Sequence, residues 1–193
     1  MCSRYEMSAT PHQIMERFDL PFVPPAPNTD DLRPTDQALI LDITGPRLER
    51  WGLAVSWDAK PVINARAETL AAKATFRPLL EKRCLVPMTA YLEWRKTETG
   101  AKLKNRIAPA GGLAAFAGLS DGTAFTIVTC APAPAVAHVH NRMPVILEPA
   151  AAAAWADPAR PFAEVAALLT PYAGALAVTE ETPPAPAQGS LFA

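Results

Sequence analysis

Short hydrophobic segments separated by turn residues run along the chain from residue 2 to residue 147. They alternate hydrophobic and polar positions or are apolar throughout, and their short length is typical of β-strands rather than helices. The clearest predicted strands cover residues 38–43, 50–57, 83–87, 90–95, 113–119 and 124–130. Asp121-Gly122 predicts a hairpin turn between the last two. Residues 2–8 predict one more strand or a buried extended arm.

Helical signals are few and short. Thr10 followed by Pro11 predicts the start of a helix over residues 12–20, because a hydroxyl N-cap and a proline in the first turn both favour a helix start. Two further short helices are predicted at 150–156 and 162–169. Many short strands with few helices predict an α+β fold, a single domain built on a curved, barrel-like mixed β-sheet with a few short helices.

Composition sets the limits of this domain. The chain has 193 residues, half of them hydrophobic, which suffices for one domain of ordinary size. We expect the folded domain to span residues 1–179. Proline is frequent in 21–36, predicted as an extended loop, and in 180–193, predicted as a disordered tail. No stretch is apolar enough to span a membrane, and three cysteines without a secretory segment indicate reduced thiols in the cytoplasm.

Charge is balanced over the chain but not along it. There are 18 lysine and arginine residues against 19 aspartate and glutamate residues. Between Arg47 and Arg106, however, 13 basic residues face 6 acidic ones. This basic middle predicts a patch for an anionic partner, although the same charges would also suit an ordinary solvated surface.

Cys2 is the most distinctive reactive residue. If Met1 is removed, Cys2 carries a free α-amine and a thiol two carbons apart, with ordinary pKa values of roughly 7.7–8.0 and 8.5. Both groups then keep a reactive fraction near neutral pH. Such a 1,2-aminothiol condenses with an aldehyde in two steps, a Schiff base followed by closure to a five-membered thiazolidine. An internal cysteine lacks the amine and cannot do this.

Other polar residues lie within hydrophobic segments. Glu93 would share a strand face with Tyr91, and a carboxylate on an inward face suits proton transfer. His140 is a natural acid–base group near pH 7. Asn64 and Arg66 would share a face, where an amide and a guanidinium are suited to a sugar-phosphate. No metal-ligand spacing such as CxxC or HxxxH is present, so no metal site or cofactor is predicted.

Two tryptophans are candidates for stacking on unpaired bases. Trp51 and Trp57 flank the predicted strand 50–57, and aromatic rings commonly stack on the bases of single-stranded nucleic acid. Core packing is the commoner role of tryptophan and remains an alternative for at least one of them.

Seven stretches of the sequence resemble the SRAP family, the SOS response-associated peptidases, in the family's order. They are Met1-Cys2 followed by Arg4, then Arg50-Trp51-Gly52-Leu53, Asn64-Ala65-Arg66-Ala67-Glu68-Thr69, Arg83-Cys84-Leu85-Val86-Pro87, Tyr91-Leu92-Glu93-Trp94, Ala117-Gly118-Leu119 and His140-Asn141-Arg142-Met143-Pro144-Val145-Ile146-Leu147. Ser3 and Ser120 depart from the family's usual residues. As a set, the stretches are highly specific.

The resemblance implies a function in the DNA damage response. Family members bind single-stranded DNA at abasic sites and link to the opened sugar through the N-terminal cysteine. The resemblance makes Cys2 the nucleophile, Asn64 a positioning residue, Glu93 a proton shuttle and His140 the acid or base for ring opening and reversal. It further implies phosphate contacts by Arg66, Arg4 and Arg142, self-processing and lyase activities, and a monomer that acts at the nucleoid.

Two other functions use the same residues. A thiol peptidase or amidohydrolase would employ Cys2 as nucleophile with His140 and Glu93, and would not need a free α-amine. A non-catalytic single-stranded DNA-binding protein would need only the basic middle and the tryptophans. The residues alone leave these alternatives open.

The last residues suggest a second partner. Gln188, Leu191 and Phe192 resemble the short peptides that dock bacterial replication proteins on the sliding clamp. A flexible tether with two apolar anchors is suited to such a groove.

Overall fold

Fifteen short strands and three short helices make up the described part of the chain, residues 2–25 and 29–181 of a computed structural model. The strands are β1 Arg4–Met7, β2 Thr29–Leu32, β3 Gln37–Asp42, β4 Gly45–Trp51, β5 Leu53–Val55, β6 Asp58–Val62, β7 Asn64–Arg66, β8 Arg83–Met88, β9 Ala90–Lys96, β10 Lys102–Pro109, β11 Ala114–Ser120, β12 Ala124–Cys130, β13 Met143–Pro144, β14 Ile146–Leu147 and β15 Leu176–Glu180. The helices are α1 Pro11–Arg17, α2 Pro149–Ala156 and α3 Phe162–Val165.

Five strands close into a barrel in the order β12, β4, β3, β8, β11 and back to β12. The contact between β4 and β12 is parallel and the other contacts in the ring are antiparallel. Strand β7 adds to β12 in parallel, next to the stretch that pairs with β4. This confirms the predicted α+β fold on a barrel-like mixed sheet.

A second sheet lies beside the barrel, in the order β15-β10-β9-β1-β2, and its pairings are antiparallel. Aromatic rings join the two layers. Tyr5 of β1 meets the ring of Trp51 at 5.2 Å and that of Phe116 at 5.6 Å, both edge-on. These rings are fully buried, so the N-terminal strand is fixed by the centre of the core.

Barrel strands β8, β11 and β12 are buried along their whole length, which is why they read as continuous apolar runs. The close contact of β11 with β8 needs a glycine. A Cβ atom on Gly118 would lie 2.8 Å from the sulfur of Cys84 and 3.0 Å from a methyl of Val86. The glycine of Ala117-Gly118-Leu119 therefore serves packing.

The tight exit from β4 needs another glycine. Gly52 has a φ of +123°, and a Cβ atom there would lie 2.8 Å from Pro61. The chain turns at this point into the β5–β6 hairpin, so the predicted strand 50–57 is in fact interrupted.

Most predicted elements are confirmed. Thr10 caps α1 as expected, with a reciprocal pair of hydrogen bonds to Gln13, although the helix ends at Arg17. The prediction of a loop over 21–36 was wrong for Thr29–Leu32, which forms edge strand β2 beside β1. Glu180, predicted as the first residue of the disordered tail, is instead the last residue of β15. Residues 182–193 lie outside the described part.

Candidate active site

Cys2 lies two residues before the start of β1 and is fully buried. Strand β1 pairs with β9 on one side and β2 on the other, so the residues that follow Cys2 are held from both edges. The Cys2 sulfur donates a long hydrogen bond of 3.5 Å to the carbonyl oxygen of Arg4. Burial is the main cause that raises the pKa of the Cys2 thiol above its ordinary value, and the charge of Glu93 raises it further.

Asn64 ties the start of the chain to the barrel. Its Nδ2 donates to the carbonyl oxygen of Cys2 at 2.7 Å. Asn64 begins β7, which is held against β12 by parallel pairing, opposite Ile127. The Asn64 Oδ1 atom is buried and has no hydrogen-bond partner among the described residues. The Asn64 amide therefore fixes the Cys2 backbone through Nδ2, and its Oδ1 atom remains available as a hydrogen-bond acceptor.

Glu93 approaches Cys2 from strand β9. The alternation predicted from Tyr91-Leu92-Glu93-Trp94 is observed, because Tyr91 meets the barrel residue Phe116 at 6.2 Å and Glu93, two positions on, projects from the same face. The Glu93 side chain is buried, with the residue 4% exposed. Asn105 of β10 lies opposite it in the sheet and is also buried.

His140 comes from the loop between β12 and β13. Its Nδ1 accepts a hydrogen bond from the backbone N–H of Arg142 at 3.0 Å. The carbonyl oxygen of Arg142 also lies 3.2 Å from Nδ1, a contact in which Nδ1 would have to donate. A backbone N–H always carries its proton, so the shorter N–H contact favours Nδ1 as the acceptor, with the proton of the neutral ring on Nε2. His140 is half-buried. In this tautomer Nε2 is the hydrogen-bond donor of the ring.

Two buried tyrosines belong to the surroundings of Cys2, and their presence at the site was not predicted from the sequence. Tyr5 and Tyr91 face each other across β1 and β9, and both hydroxyls are buried without a partner among the described residues. Burial raises both pKa values above the ordinary range, and a negative charge on Cys2 would raise them further. Both hydroxyls are therefore neutral donors next to the nucleophile.

The predicted phosphate-binding arginines differ in their environments. Arg66 is exposed and forms no salt bridge within the described ranges. Arg4 is half-buried, with its guanidinium 5.7 Å from the centre of the Trp94 ring and 3.4 Å from Asp31. Arg142 turns inward to Glu68 and Thr129. Phosphate contacts by Arg4, Arg66 and Arg142 stay predictions.

The two tryptophans also differ. Trp51 is fully buried, and its indole nitrogen donates to the carbonyl oxygen of Ile63 at 2.9 Å. It cannot stack on a base without leaving the core, so core packing is its role in this structure. Trp57 is 67% exposed at the end of the β5–β6 hairpin, two residues beyond β5.

Ser120, a departure from the family pattern, has a structural role. It is buried at the end of β11 and donates to Glu49 at 2.7 Å. Glu49 in turn pairs with Arg47. A small hydroxyl residue thus satisfies a buried carboxylate inside the barrel wall.

The other two thiols are buried, like that of Cys2. Cys84 and Cys130 are buried and unbridged. Burial raises the pKa of Cys130 to about 11 and that of Cys84 well above its ordinary value, so neither is activated.

Within residues 2–25 and 29–181, no three His, Cys, Asp or Glu side chains cluster closely enough to hold a metal ion. No helix there is long and apolar enough to cross a membrane.

The structure brings Cys2, Asn64 and Glu93 together from three separate elements. His140 lies on the loop after β12, which Arg142 ties to Thr129 of β12, and its part in the site stays a prediction. A thiol, an amide that holds its backbone, a buried carboxylate and an imidazole with a defined donor atom are the groups needed to form and break carbon–nitrogen and carbon–sulfur bonds.

Comparisons with known proteins identify relatives of this chain. The family model for the SOS response associated peptidase (SRAP) matches residues 1–182. The chain is 33% identical over 201 residues to the abasic site processing protein YoaM of Bacillus subtilis, with 89% of this chain and 86% of the relative covered. It is 30% identical over 176 residues to the abasic site processing protein YedK of Escherichia coli, covering 80% and 79%. A crystal structure of a protein from Bacteroides thetaiotaomicron superposes with a TM-score of 0.81 at 24% identity, covering 93% and 91% of the two chains.

Proposed function

This chain belongs to the SRAP family, and from that premise we propose that it binds single-stranded DNA at abasic sites and links to the opened sugar through Cys2. Its relatives YoaM and YedK are abasic site processing proteins. The observation that carries the proposal is the 2.7 Å hydrogen bond from Asn64 to the Cys2 carbonyl oxygen, which fixes the chain end beside Glu93.

The first step is imine formation. After Met1 is removed, the Cys2 amine attacks the C1 aldehyde of the ring-opened sugar, and the carbinolamine loses water to give a Schiff base. The sugar opens when its O1 hydroxyl loses a proton and its ring oxygen gains one. His140 Nε2–H is suited to protonate the ring oxygen, and the Glu93 carboxylate is suited to accept protons during the condensation.

The second step closes the thiazolidine. The Cys2 sulfur bonds to the imine carbon, the thiol proton leaves the sulfur, and the imine nitrogen gains a proton. The raised pKa keeps the thiol protonated until this moment. Amine attack therefore precedes sulfur attack, and Glu93 can carry the proton from sulfur to nitrogen. Reversal follows the same path backwards with His140 as the acid or base.

Exposed groups beside the site would hold the DNA strand. Arg66 follows Asn64 by two residues on β7 and is open to solvent, so a phosphate next to the lesion can reach it. Trp57 offers an exposed ring for an unpaired base. Self-processing to release Met1 and strand cleavage by a lyase reaction are additional activities that we expect of the same groups.

Intact mass spectrometry tests the proposal. The purified protein is incubated with a single-stranded oligonucleotide carrying one abasic site, and we expect a denaturant-resistant species equal to both masses minus one water. Protein lacking Met1 is required, so the starting mass is measured first. The Cys2→Ala variant should bind without forming the adduct, and Cys130→Ala, the matched control, should behave like wild type.

Acetylation of the N-terminus separates the alternatives. It should abolish the adduct and leave simple DNA binding intact. Turnover of peptides or amides by acetylated protein would instead support a thiol hydrolase. DNA binding that never becomes denaturant-resistant would support a non-catalytic single-stranded DNA-binding protein and contradict the proposal.

The sequence also supports a second partner, the sliding clamp, through Gln188, Leu191 and Phe192. These residues lie outside the described part, so the argument rests on the peptide resemblance. We expect clamp binding by the full chain in a calorimetric titration, and its loss in the L191A/F192A variant. Equal binding by both proteins, or none by either, would contradict docking.

A further inference from the structure

Arg142 forms the most extensive side-chain network near the site. Its two terminal nitrogens donate to the two carboxylate oxygens of Glu68, at 2.8 and 2.9 Å. One of them also donates to the backbone oxygen of Thr129 at 2.7 Å and lies 3.3 Å from the Thr129 hydroxyl. The Arg142 side chain is 16% exposed. This is an enclosed, bidentate arrangement, the strong form of an arginine–carboxylate contact.

These contacts join three segments that are distant in sequence. Glu68 lies in the single turn of helix that follows β7, Thr129 lies near the end of β12, and Arg142 directly precedes β13. The first two are already fixed to one another, since Thr129 of β12 lies opposite Arg66 of β7. Arg142 therefore anchors the loop that follows β12 to a rigid part of the barrel.

The anchored loop carries His140. The backbone N–H of Arg142 donates to His140 Nδ1 at 3.0 Å, so the position of the Arg142 backbone determines both the orientation of the ring and its tautomer. A partner that fixes one imidazole nitrogen sets which proton the other nitrogen can offer. Movement of Arg142 would release this constraint.

We propose that Glu68 and Arg142 are positioning residues for His140, holding its ring with Nε2 as the proton donor. Glu68 balances the charge of Arg142, and the two terminal nitrogens of Arg142 donate to Glu68 and Thr129. The Arg142 Nε is buried and has no partner among the described residues, so a phosphate contact by Arg142 stays a prediction beside those of Arg4 and Arg66. The predicted effect on the rate of adduct formation rests on the proposed function, whereas the predicted tautomer of His140 does not.

Nuclear magnetic resonance tests the tautomer directly. Protein labelled with nitrogen-15 in its three histidines would be compared with the E68A variant, with His140 assigned by its loss in the H140A variant. We expect wild type to show Nδ1 as acceptor and Nε2 protonated, and E68A to show averaging between tautomers. An unchanged His140 signal in E68A would overturn the inference, whatever the protein does to DNA.

A double-mutant cycle tests the consequence for reaction rate. We expect E68A to slow adduct formation and reversal by about tenfold, part of the roughly 10²–10⁴ that a positioned acid–base group supplies. The same substitution in an H140A background should have no further effect, because Glu68 would act through His140. An equal slowing in both backgrounds would show an independent role and overturn the proposal.

The E68A measurements need a control in which a comparable ion pair is removed. The matched control is E81A, because Glu81 is a similarly exposed carboxylate paired with a buried arginine, Arg83, away from the site. E81A should keep wild-type rates.

Discussion

At Cys2, burial and a neighbouring carboxylate both act to keep the thiol protonated. Burial is the larger cause and Glu93 the second. A protonated sulfur lets the amine react first with an aldehyde, which is the order of the proposed reaction. The surroundings of Cys2 therefore favour attack by its amine before attack by its thiol.

Replacing Glu93 with glutamine separates the two causes. We expect the pKa of Cys2 to fall, since a negative charge is lost, but to stay above the ordinary thiol value because the burial remains. The measurement is the pH dependence of alkylation of the N-terminal peptide by iodoacetamide, followed by mass spectrometry. Alkylation of Cys130 in the same samples is the internal reference, and an unchanged Cys2 profile would contradict the assignment.

Tyr91 offers a test of an unpartnered hydroxyl. Its buried oxygen has no hydrogen-bond partner in the described ranges, and such a group destabilises a fold by about 1–3 kcal/mol. We therefore expect Tyr91→Phe to leave the free energy of unfolding unchanged or to raise it by about 1 kcal/mol. Urea unfolding measures this. A clear loss of stability would reveal a native partner for the hydroxyl.

The candidate site residues were readable from sequence because each lies in a short motif, as Asn64 does in Asn64-Ala65-Arg66 and Glu93 in Tyr91-Leu92-Glu93-Trp94. The residues that contact and orient them could not be predicted from the sequence. The contact of Arg142 with Glu68 joins residues 74 positions apart, and no local pattern marks it. Only the way β7 and β12 pair brings these residues together.

At the scale of elements, the β5–β6 hairpin separates two tryptophans that a single predicted strand had joined. Gly52 turns the chain after Trp51, so one ring enters the core and the other remains in solvent. A strand pattern alone cannot locate such a turn, because it depends on the close approach of Pro61.

These two tryptophans form a matched pair of variants. We expect Trp57→Ala to weaken binding of single-stranded DNA by about 1–3 kcal/mol, the contribution of one stacked base, with little change in stability. Trp51→Ala should destabilise the fold by about 3–5 kcal/mol, since it leaves a cavity in the core. Fluorescence anisotropy and urea unfolding measure the two effects. Unchanged affinity in Trp57→Ala would remove it from the DNA interface.

Edge strands were the hardest elements to predict. Strand β2 follows a proline-rich stretch and reads Thr-Asp-Asp-Leu, while β15 is largely exposed. Both strands form because a neighbouring strand supplies hydrogen bonds, β1 for β2 and β10 for β15. Their own residues give little β-propensity signal, so tertiary pairing decides.

In the whole molecule, the buried thiols and phenols make the free energy of unfolding depend on pH in the alkaline range. The pKa values of Cys2, Cys84, Tyr5 and Tyr91 are raised in the folded state mainly by burial, and that of Cys130 is raised to about 11. Above the ordinary cysteine pKa of roughly 8.5 the unfolded chain loses protons that the folded chain retains. Stability is therefore full below about pH 8.5 and falls as the pH rises.

Urea unfolding under reducing conditions at several pH values checks this dependence. Each buried group contributes a slope of up to about 1.4 kcal/mol per pH unit between its unfolded and folded pKa. The Cys84→Ala/Cys130→Ala variant should show a smaller slope over the same range. A stability that stays constant to about pH 10.5 would contradict the burial of these groups.

The central place of β1 in its sheet has a consequence during synthesis. Strand β1 is synthesised before its partner β9, which ends at Lys96. At roughly 5–20 residues per second, synthesis from β1 to the end of β9 takes about 5–20 s. In the finished fold Cys2 is fully buried. Cys2 therefore stays accessible during translation and becomes enclosed only once β9 has been made.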